Sequence, residues 1–371
     1  MKNLQRVIYL SCTIIILMIL IYNYRILHKI DSKNFKSESH AFFKIKNDTK
    51  NYDSYYEKFS SKKKLVNDRF NIADSKEKAI QGIGGSKQTS LYSISKTNSQ
   101  NDNILFVVLT NETNILTRGL AIWNTWGRSC KKNIYFACNC SNIHRLKKHL
   151  KKNKTVPIEL AIYTSVLKLP ILNLNIMENE EEMGQKVLLI FNESYSLYKK
   201  QSNWFFMVDD DTYVYVNNLY KFIKTQNTSA PLYYGFKYKH VHKPIGFIGG
   251  GSGILFTNES LNLLVNKISK NQCNDVINGY GDVTIGGCAI KVGIKIGDSH
   301  DKSNRPRFNY CDPLVHFYGP LPFFISNPYG THNGKIGREC CSLESISFHK
   351  VTPSMMLQMY SNKTFLSNLF E

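Results

Sequence analysis

Three consecutive carboxylates, Asp209-Asp210-Asp211, close an unbroken apolar run, Trp204-Phe-Phe-Met-Val208, and are followed by Thr212-Tyr213. Such a run has the pattern of a strand buried on both faces. Open α/β sheets bind ligands at the carboxyl ends of strands of this kind. Side chains alternate along an extended segment, so Asp209 and Asp211 would share one side, roughly 7 Å apart, with Asp210 on the other. A turn would bring the first and third onto one cation. Adjacent carboxylates repel one another, which makes sense at a strand end if something positive neutralises them. Carboxylates that leave coordination positions open are the usual way to hold a divalent ion against a diphosphate. A histidine nitrogen beside those oxygens would suit Mn2+ better than a soft metal. His349, in Ile346-Ser-Phe-His-Lys-Val351, is a candidate, although a lone histidine in an apolar stretch is more often a core residue. The triplet could instead be a solvated acidic turn, or the N-terminal cluster of a helix before Asn217-Asn218. The strand that leads into it favours the metal site.

Asp282 stands apart from this cluster, in Gly281-Asp-Val-Thr-Ile-Gly286, where a helix is expected to run through Ala289. It could be a plain helix cap. A carboxylate separated from the metal is also what an inverting sugar transfer requires as its base. Upstream, Gly246-Phe-Ile-Gly-Gly-Gly-Ser-Gly253 packs glycines ahead of the strand-like Ile254-Leu-Phe256. Glycines there allow close backbone approach to a ligand, or merely a tight turn. The spacing is not that of a dinucleotide-binding loop.

The elements that must carry these residues alternate in type. Strands are expected at Ile104–Leu109, Asn133–Ala137, Ile158–Tyr163 and Trp204–Val208. Helices are expected at Ile115–Trp126 and Ile143–Leu150, with a long one opening at the acidic Glu178-x-Glu180-Glu-Glu182 and running towards Tyr198. This order points to an α/β sandwich with a largely parallel sheet.

The chain has 371 residues, 42% of them hydrophobic and 12% aromatic, which is ample for one sizeable core and excludes a wholly disordered or collagen-like chain. Its net charge is +20, but residues 1–100 hold 18 of the 48 Lys and Arg and 8 of the 28 Asp and Glu, so half the excess sits in that segment. Val7 to Tyr22 is free of charge and flanked by Lys2, Arg6, Arg25 and Lys29. It is near the short limit for a spanning helix, and no small-x-small cleavage site follows, so an uncleaved signal anchor is favoured over a cleaved signal peptide. Residues 31–101 are polar and lysine-rich and read as a tether. The organisation expected is therefore a cytoplasmic tail (1–6), an anchor (7–24), a luminal stem (25–101) and a catalytic domain (102–371). No aromatic-interleaved basic patch accompanies the charge, so nucleic acid is not expected as a partner. Eight of the nine cysteines follow the stem, an even number that suggests an oxidising compartment and disulfides of unassigned pairing. Eight sequons, at Asn47, Asn111, Asn139, Asn153, Asn192, Asn227, Asn258 and Asn362, agree with a secretory route.

Taken in order, Thr110…Trp126-Gly-Arg-Ser-Cys130, Trp204-Phe…Asp-Asp-Asp-Thr-Tyr213-Val, Tyr234-Gly-Phe, Gly250-Gly-Ser-Gly253, Gly281-Asp282-Val, Gly297-Asp-Ser-His-Asp301 and Cys340-Cys-Ser…Ser347-Phe-His-Lys-Val351 resemble glycosyltransferase family 31. Within that family the chain is most similar to the core 1 β-1,3-galactosyltransferase branch. The likeness covers roughly residues 103–360, and its most specific part is the Cys-Cys-Ser doublet followed by Ser-Phe-His-x-Val. It implies a GT-A-type domain with a Rossmann-like, mostly parallel sheet and inverting transfer from UDP-galactose to the 3-hydroxyl of O-linked GalNAc on Ser/Thr. It also implies Mn2+, a single-pass type II Golgi membrane protein with its catalytic domain in the lumen, and scope for a homodimer. By position, Asp209, Asp211 and His349 would hold Mn2+, and Asp282 would be the base. Leu109 and Thr110 would line the uridine site, with Glu178, Asn179, Lys186 and Asp209 on the donor side. Phe324, Tyr329, Gly250 and Gly251 would face the acceptor.

The chain departs from the family pattern at several places. Gly281 stands where a Glu is usual, Glu180 where an Arg is expected, and His300 where an Arg is expected in the Asp-Ser-Arg-Asp string. The acceptor-facing aromatic segment is Phe323-Phe-Ile-Ser-Asn-Pro-Tyr329, without Trp. Two other readings stay open: a fringe-like transferase of UDP-GlcNAc, and a non-catalytic luminal chaperone or sugar-binding relative. The intact Asp209–Asp211 counts against the second. The sequon at Asn111 falls in the nucleotide loop, so this asparagine is expected to be unglycosylated; peptide mapping that finds a glycan there would count against the donor site.

Overall fold

A computed structural model describes residues 103–143, 166, 168–174, 183–198, 202–240, 243–277, 280–322, 325 and 335–370. The anchor at 7–24, the stem, the helix expected at 143–150 beyond Ile143, the strand expected at 158–163 and the acidic 178–182 lie outside them. No helix among the described residues is long and apolar enough to cross a membrane.

The elements in chain order are β1 (Ile104–Leu109), α1 (Arg118–Asn124), β2 (Ile134–Cys138), β3 (Ile171–Asn173), α2 (Met183–Tyr198), β4 (Trp204–Asp209), β5 (Tyr213–Val214), α3 (Val216–Ile223), β6 (Leu232–His240) and β7 (Lys243–Thr257). They continue with α4 (Asn258–Ile268), α5 (Gly281–Lys291), β8 (Lys295–Ile296), β9 (Phe308–Asn309), α6 (Pro313–Tyr318), β10 (Ser347–Phe348), α7 (Pro353–Ser361) and α8 (Phe365–Phe370). Seven strands form the main sheet in the order β3-β2-β1-β4-β7-β6-β8. Of these only β7 runs against the rest, since it pairs antiparallel with β4 and β6 while the other pairs are parallel. The largely parallel sheet expected from the alternating elements is thus present. A small sheet, β5-β10-β9, stands beside it.

The central strands are buried on both faces, as their apolar runs require. Leu105, Val107, Phe205 and Met207 join a core with Val187, Phe191, Leu261, Leu264 and Ile285 from α2, α4 and α5. On the opposite face Phe106 meets Trp126 and Phe206, and Phe206 meets Phe308, with ring centroids 6.0–6.1 Å apart. Burying each such side chain contributes about 1.5–3 kcal/mol, so the strand ends are held on a rigid base.

Two expectations need correction. The helix expected over Ile115–Trp126 is broken into α1 between two short 3-10 turns, Asn114–Leu116 and Trp126–Cys130. At its end Thr125 has non-helical angles and its hydroxyl donates back to the Ala121 carbonyl at 2.7 Å, competition typical of threonine. The glycines expected ahead of a strand lie inside the 15-residue β7. Neighbouring rings occupy the space a Cβ would need: Tyr238 at Gly249, His349 at Gly251 and Phe206 at Gly253.

Cysteines 138 and 140, 273 and 288, and 340 and 341 are joined as disulfides. Cys130 and Cys311 are free and buried, and burial pushes both thiols up to about 12. The even cysteine count therefore does not mean that all eight pair.

Candidate active site

The parallel register sets Leu109 of β1 opposite Asp209 of β4. The next residues, Thr110 and Asp210, are consequently neighbours, and the Thr110 hydroxyl donates to Asp210 Oδ2 at 2.7 Å. Arg118, the first residue of α1, donates from Nη1 to Asp210 Oδ1 at 3.0 Å and lies 3.6 Å from Asp211 Oδ2. Asp210 thus turns away from its neighbours and ties the β1 loop and α1 to the end of β4. Lys186 of α2 is buried and donates to the Thr110 carbonyl at 3.4 Å, so the donor-side lysine and the nucleotide loop expected from the resemblance do meet. Leu109 is partly buried at the end of β1.

The chain turns after Asp209, with the Thr212 N–H donating to the Asp209 carbonyl at 3.1 Å. This turn brings Asp209 and Asp211 to one place, and α3 begins only at Val216, so the triplet is not a helix N-terminal cluster. β10 pairs with β5 and β9 and delivers His349 to the same point. Its Nε2 lies 3.0 Å from Asp211 Oδ1 and 3.7 Å from Asp209 Oδ2. Ligand atoms from these three residues all lie within 4.8 Å of one another. Adjacent ligands around a six-coordinate ion at about 2.1 Å stand about 3 Å apart, so the set needs little movement to hold a divalent cation. The oxygen-rich donor set with one imidazole fits a hard or borderline ion such as Mn2+. His349 therefore faces Asp209 and Asp211 and is not a histidine satisfied within the core; its Nδ1 is buried without a hydrogen-bond partner.

The three carboxylates differ in their electrostatics. Burial, reinforced by the neighbouring carboxylates and opposed by His349, pushes Asp209 up to about 6, although 40% of its side chain still meets solvent. Burial likewise raises Asp210, despite its bonds from Thr110 and Arg118. Burial also works to raise Asp211, but the hydrogen bond and charge of His349 and the charge of Arg118 hold it below its ordinary value. A cation on Asp209 and Asp211 would relieve the repulsion that remains.

Asp282 opens α5, where its Oδ1 accepts from the Val283 N–H at 2.8 Å and its Oδ2 accepts from the Gly250 N–H at 3.2 Å. The second bond crosses to β7, so this carboxylate is aimed by tertiary structure and is more than a local cap. Burial raises its pKa, against the lowering effect of both backbone N–H groups. Gly250, which donates to Asp282, precedes Gly251, which packs against His349, so Asp282 and the aspartate–histidine cluster lie along the same stretch of β7. A Cβ on Gly281 would come 2.4 Å from Val187 of α2, so a glutamate there would require α5 and α2 to move apart.

β7 supports both halves. The Gly251 carbonyl accepts from the Thr212 hydroxyl at 2.6 Å, and the Trp126 indole N–H donates to the Thr212 carbonyl at 3.1 Å. A Cβ on Gly251 would stand 2.2 Å from His349 Cε1. Gly251→Ala is accordingly expected to push the imidazole off Asp211, to lower Mn2+ affinity about 10- to 100-fold and to cost about 1–3 kcal/mol in stability; metal titration and thermal melting check the two effects. Glu178, Asn179, Phe324 and Tyr329 lie outside the described residues. Sequence reasoning missed Arg118, Thr212 and the ring of Tyr310, which packs edge-on against His349 at 5.3 Å. No local pattern marks them.

A model of the Fringe-like family matches residues 99–301, a span that takes in Thr110, the aspartate triplet and Asp282. Glycoprotein-N-acetylgalactosamine 3-beta-galactosyltransferase 1 of Xenopus laevis is 26% identical over 283 residues, covering 75% of this chain and 69% of its own length. Chondroitin sulfate synthase 3 of Mus musculus is 26% identical over 135 residues, 34% of this chain and 15% of its own. Among solved structures, mouse xyloside xylosyltransferase 1 is similar with 9% identity, 66% of this chain and 97% of its own covered, and a TM-score of 0.34. The galactosyltransferase LgtC, in complex with donor and acceptor sugar analogues, is similar with 12% identity, 71% and 94% coverage and a TM-score of 0.38.

Proposed function

Because the chain belongs to the Fringe-like family and is a glycosyltransferase of that type, we propose that it transfers galactose from UDP-galactose, with inversion and with Mn2+, to the 3-hydroxyl of O-linked GalNAc on Ser/Thr. The observation that carries this reading is the pairing of an Asp209–Asp211–His349 set with a separate, doubly anchored Asp282. The similarity to a GalNAc 3-beta-galactosyltransferase over three quarters of the chain supports the choice of sugars. The mixed sheet supports a GT-A-type domain.

In this mechanism Asp209, Asp211 and His349 hold the cation, which when bound offsets the charge of the departing diphosphate. Thr110 and Leu109 line the nucleoside, and Lys186 places a cation beside the Thr110 loop, where it can stabilise negative charge on the donor. Asp282 accepts the proton of the acceptor hydroxyl as the new bond to the sugar C1 forms. Because that proton moves only in the transition state, the carboxylate need not match the alcohol in basicity. Asp210, held by Thr110 and Arg118, positions the triplet and takes no proton. We further propose that residues 7–24 anchor the chain in the Golgi membrane with the domain from residue 102 onward in the lumen.

The full-length chain, extracted in detergent, is to be incubated with a panel of UDP-sugars and GalNAc-Ser/Thr peptides, with Mn2+ and with EDTA. The expected product is a β1,3-linked galactose, lost with EDTA and restored by Mn2+. Transfer from UDP-GlcNAc instead would establish the fringe-like alternative, and no transfer from any donor would point to a non-catalytic relative.

A further inference from the structure

An imidazole that ligates a metal is normally aimed by a hydrogen bond from its other ring nitrogen to a carboxylate or a carbonyl. His349 lacks that device. Its Nε2 faces Asp211 Oδ1 at 3.0 Å and Asp209 Oδ2 at 3.7 Å, while its Nδ1 is buried without a hydrogen-bond partner. The contact with Asp211 cannot aim the ring at a cation, since both groups would be ligands of the same ion. Among the described residues, then, no hydrogen bond behind the imidazole sets its rotation, and its aim has to come from packing.

Two groups supply that packing. One is Gly251, where a Cβ would come within 2.2–2.8 Å of Cε1, Nδ1 and Nε2 of the ring. The other is Tyr310, whose ring centroid lies 5.3 Å from that of His349 with the planes at 78°. Strand pairing produces this contact: β9 and β10 run parallel with Phe348 opposite Asn309, and the His349 N–H donates to the Asn309 carbonyl at 3.0 Å. Tyr310 follows Asn309 directly and so comes beside His349. Its ring is itself braced. Tyr238 packs on it edge-on at 6.0 Å, Phe236 lies at 6.2 Å, and the Lys350 ammonium stands 4.7 Å from its centroid. Tyr238 in turn fills the space that a Cβ on Gly249 would need. The glycines of β7 thus admit two of the rings, and Tyr310 packs on both.

We propose that Tyr310 is a positioning residue of the cation site: its ring, braced by Tyr238 and Lys350, sets the orientation in which His349 meets the ion. The inference rests on the reading of Asp209, Asp211 and His349 as the metal set. Changes behind a ligating histidine usually cost about 10- to 100-fold in metal affinity. A single edge-on ring pair is a modest contact, so the loss expected here is at the lower end of that range.

The test is a calorimetric titration of Mn2+ into the full-length chain in detergent, with UDP present, for the wild type, Tyr310→Leu and Tyr310→Phe, and for Tyr310→Leu combined with His349→Ala. Leucine keeps apolar bulk but removes the ring, and is expected to weaken Mn2+ binding about tenfold. Phenylalanine keeps the ring and should stay within about twofold of the wild type. In transfer assays Tyr310→Leu is expected to need about ten times more Mn2+ and to recover most of its kcat once the ion is saturating. On His349→Ala no imidazole is left to aim, so Tyr310→Leu should there change Mn2+ affinity no further. Thermal melting reads the fold of each variant, and Tyr310→Met serves the same comparison should the leucine variant lose it. Wild-type affinity in Tyr310→Leu, an equal loss in Tyr310→Phe, or an equal loss with and without His349 would overturn the positioning role alone. A wild type that binds no Mn2+ would sink the metal reading itself, and this inference with it.

Discussion

Replacing Asp211 with alanine is expected to abolish donor-dependent Mn2+ binding and to lower transfer by roughly a thousandfold or more, the several kcal/mol that a bound cation supplies to a departing diphosphate. Asp211 is the pivot of the set: its Oδ1 meets His349 Nε2 at 3.0 Å and its Oδ2 lies 3.6 Å from Arg118. Its carboxylate is held below its ordinary pKa by His349 and Arg118, against the pull of burial, so it is ionised and ready for a cation near neutral pH. Removing it leaves Asp209, pushed up to about 6, as the last carboxylate ligand. Arg118 keeps its partner in Asp210, so the fold is expected to survive the change. Calorimetric titration with Mn2+, with and without UDP, reads the binding directly, and thermal melting reads the fold. An Asp211→Ala protein that still binds Mn2+ in the presence of UDP would remove the aspartate set from the mechanism.

Asp282→Asn is expected to lower kcat by about 10²–10⁴-fold, the usual worth of a positioned general base, with Mn2+ affinity retained. Asparagine has the same shape but cannot take a proton. It must also set its amide against either the Gly250 or the Val283 N–H, where the carboxylate accepts from both, so a modest loss of stability should accompany the change. The pH profile supplies a second reading. A base works only when ionised, so activity is lost as pH falls through its folded pKa. Burial raises that value for Asp282, and the acid limb should therefore lie above the ordinary aspartate range of about 3.9 and disappear in the variant. Full activity in Asp282→Asn would transfer the role of base to another group.

Both predictions use a site whose parts were unequally visible in the amino-acid sequence. β1 appears with the bounds its apolar run suggests, β4 ends on the first aspartate, and α5 starts at Gly281 as expected. Such features are local: the period of apolar side chains and the chemistry of three adjacent carboxylates need no distant partner. The aspartates and Asp282 could be named for the same reason, by type and by the element on which they sit, whereas Lys186 was named only through the family resemblance.

What the sequence could not settle was which groups meet. Thr110 reaches Asp210 across 100 residues of chain and Arg118 does so across 92, because parallel pairing aligns the ends of β1 and β4. His349 meets Asp211 because the small β5-β10-β9 sheet carries it there, although an identical stretch could equally have buried it in a core. The β7 glycines gained their meaning from the rings of Tyr238, His349 and Phe206 packed against them. By itself the sequence determined the inventory, namely buried strands, a carboxylate cluster at one strand end and an acid at a helix start, because these follow from residue type and short-range period. Only the tertiary structure decided that Asp209, Asp211 and His349 converge, that Asp210 turns away and that Gly250 aims Asp282. Those outcomes depend on sheet register and close packing, which join residues that no local pattern connects.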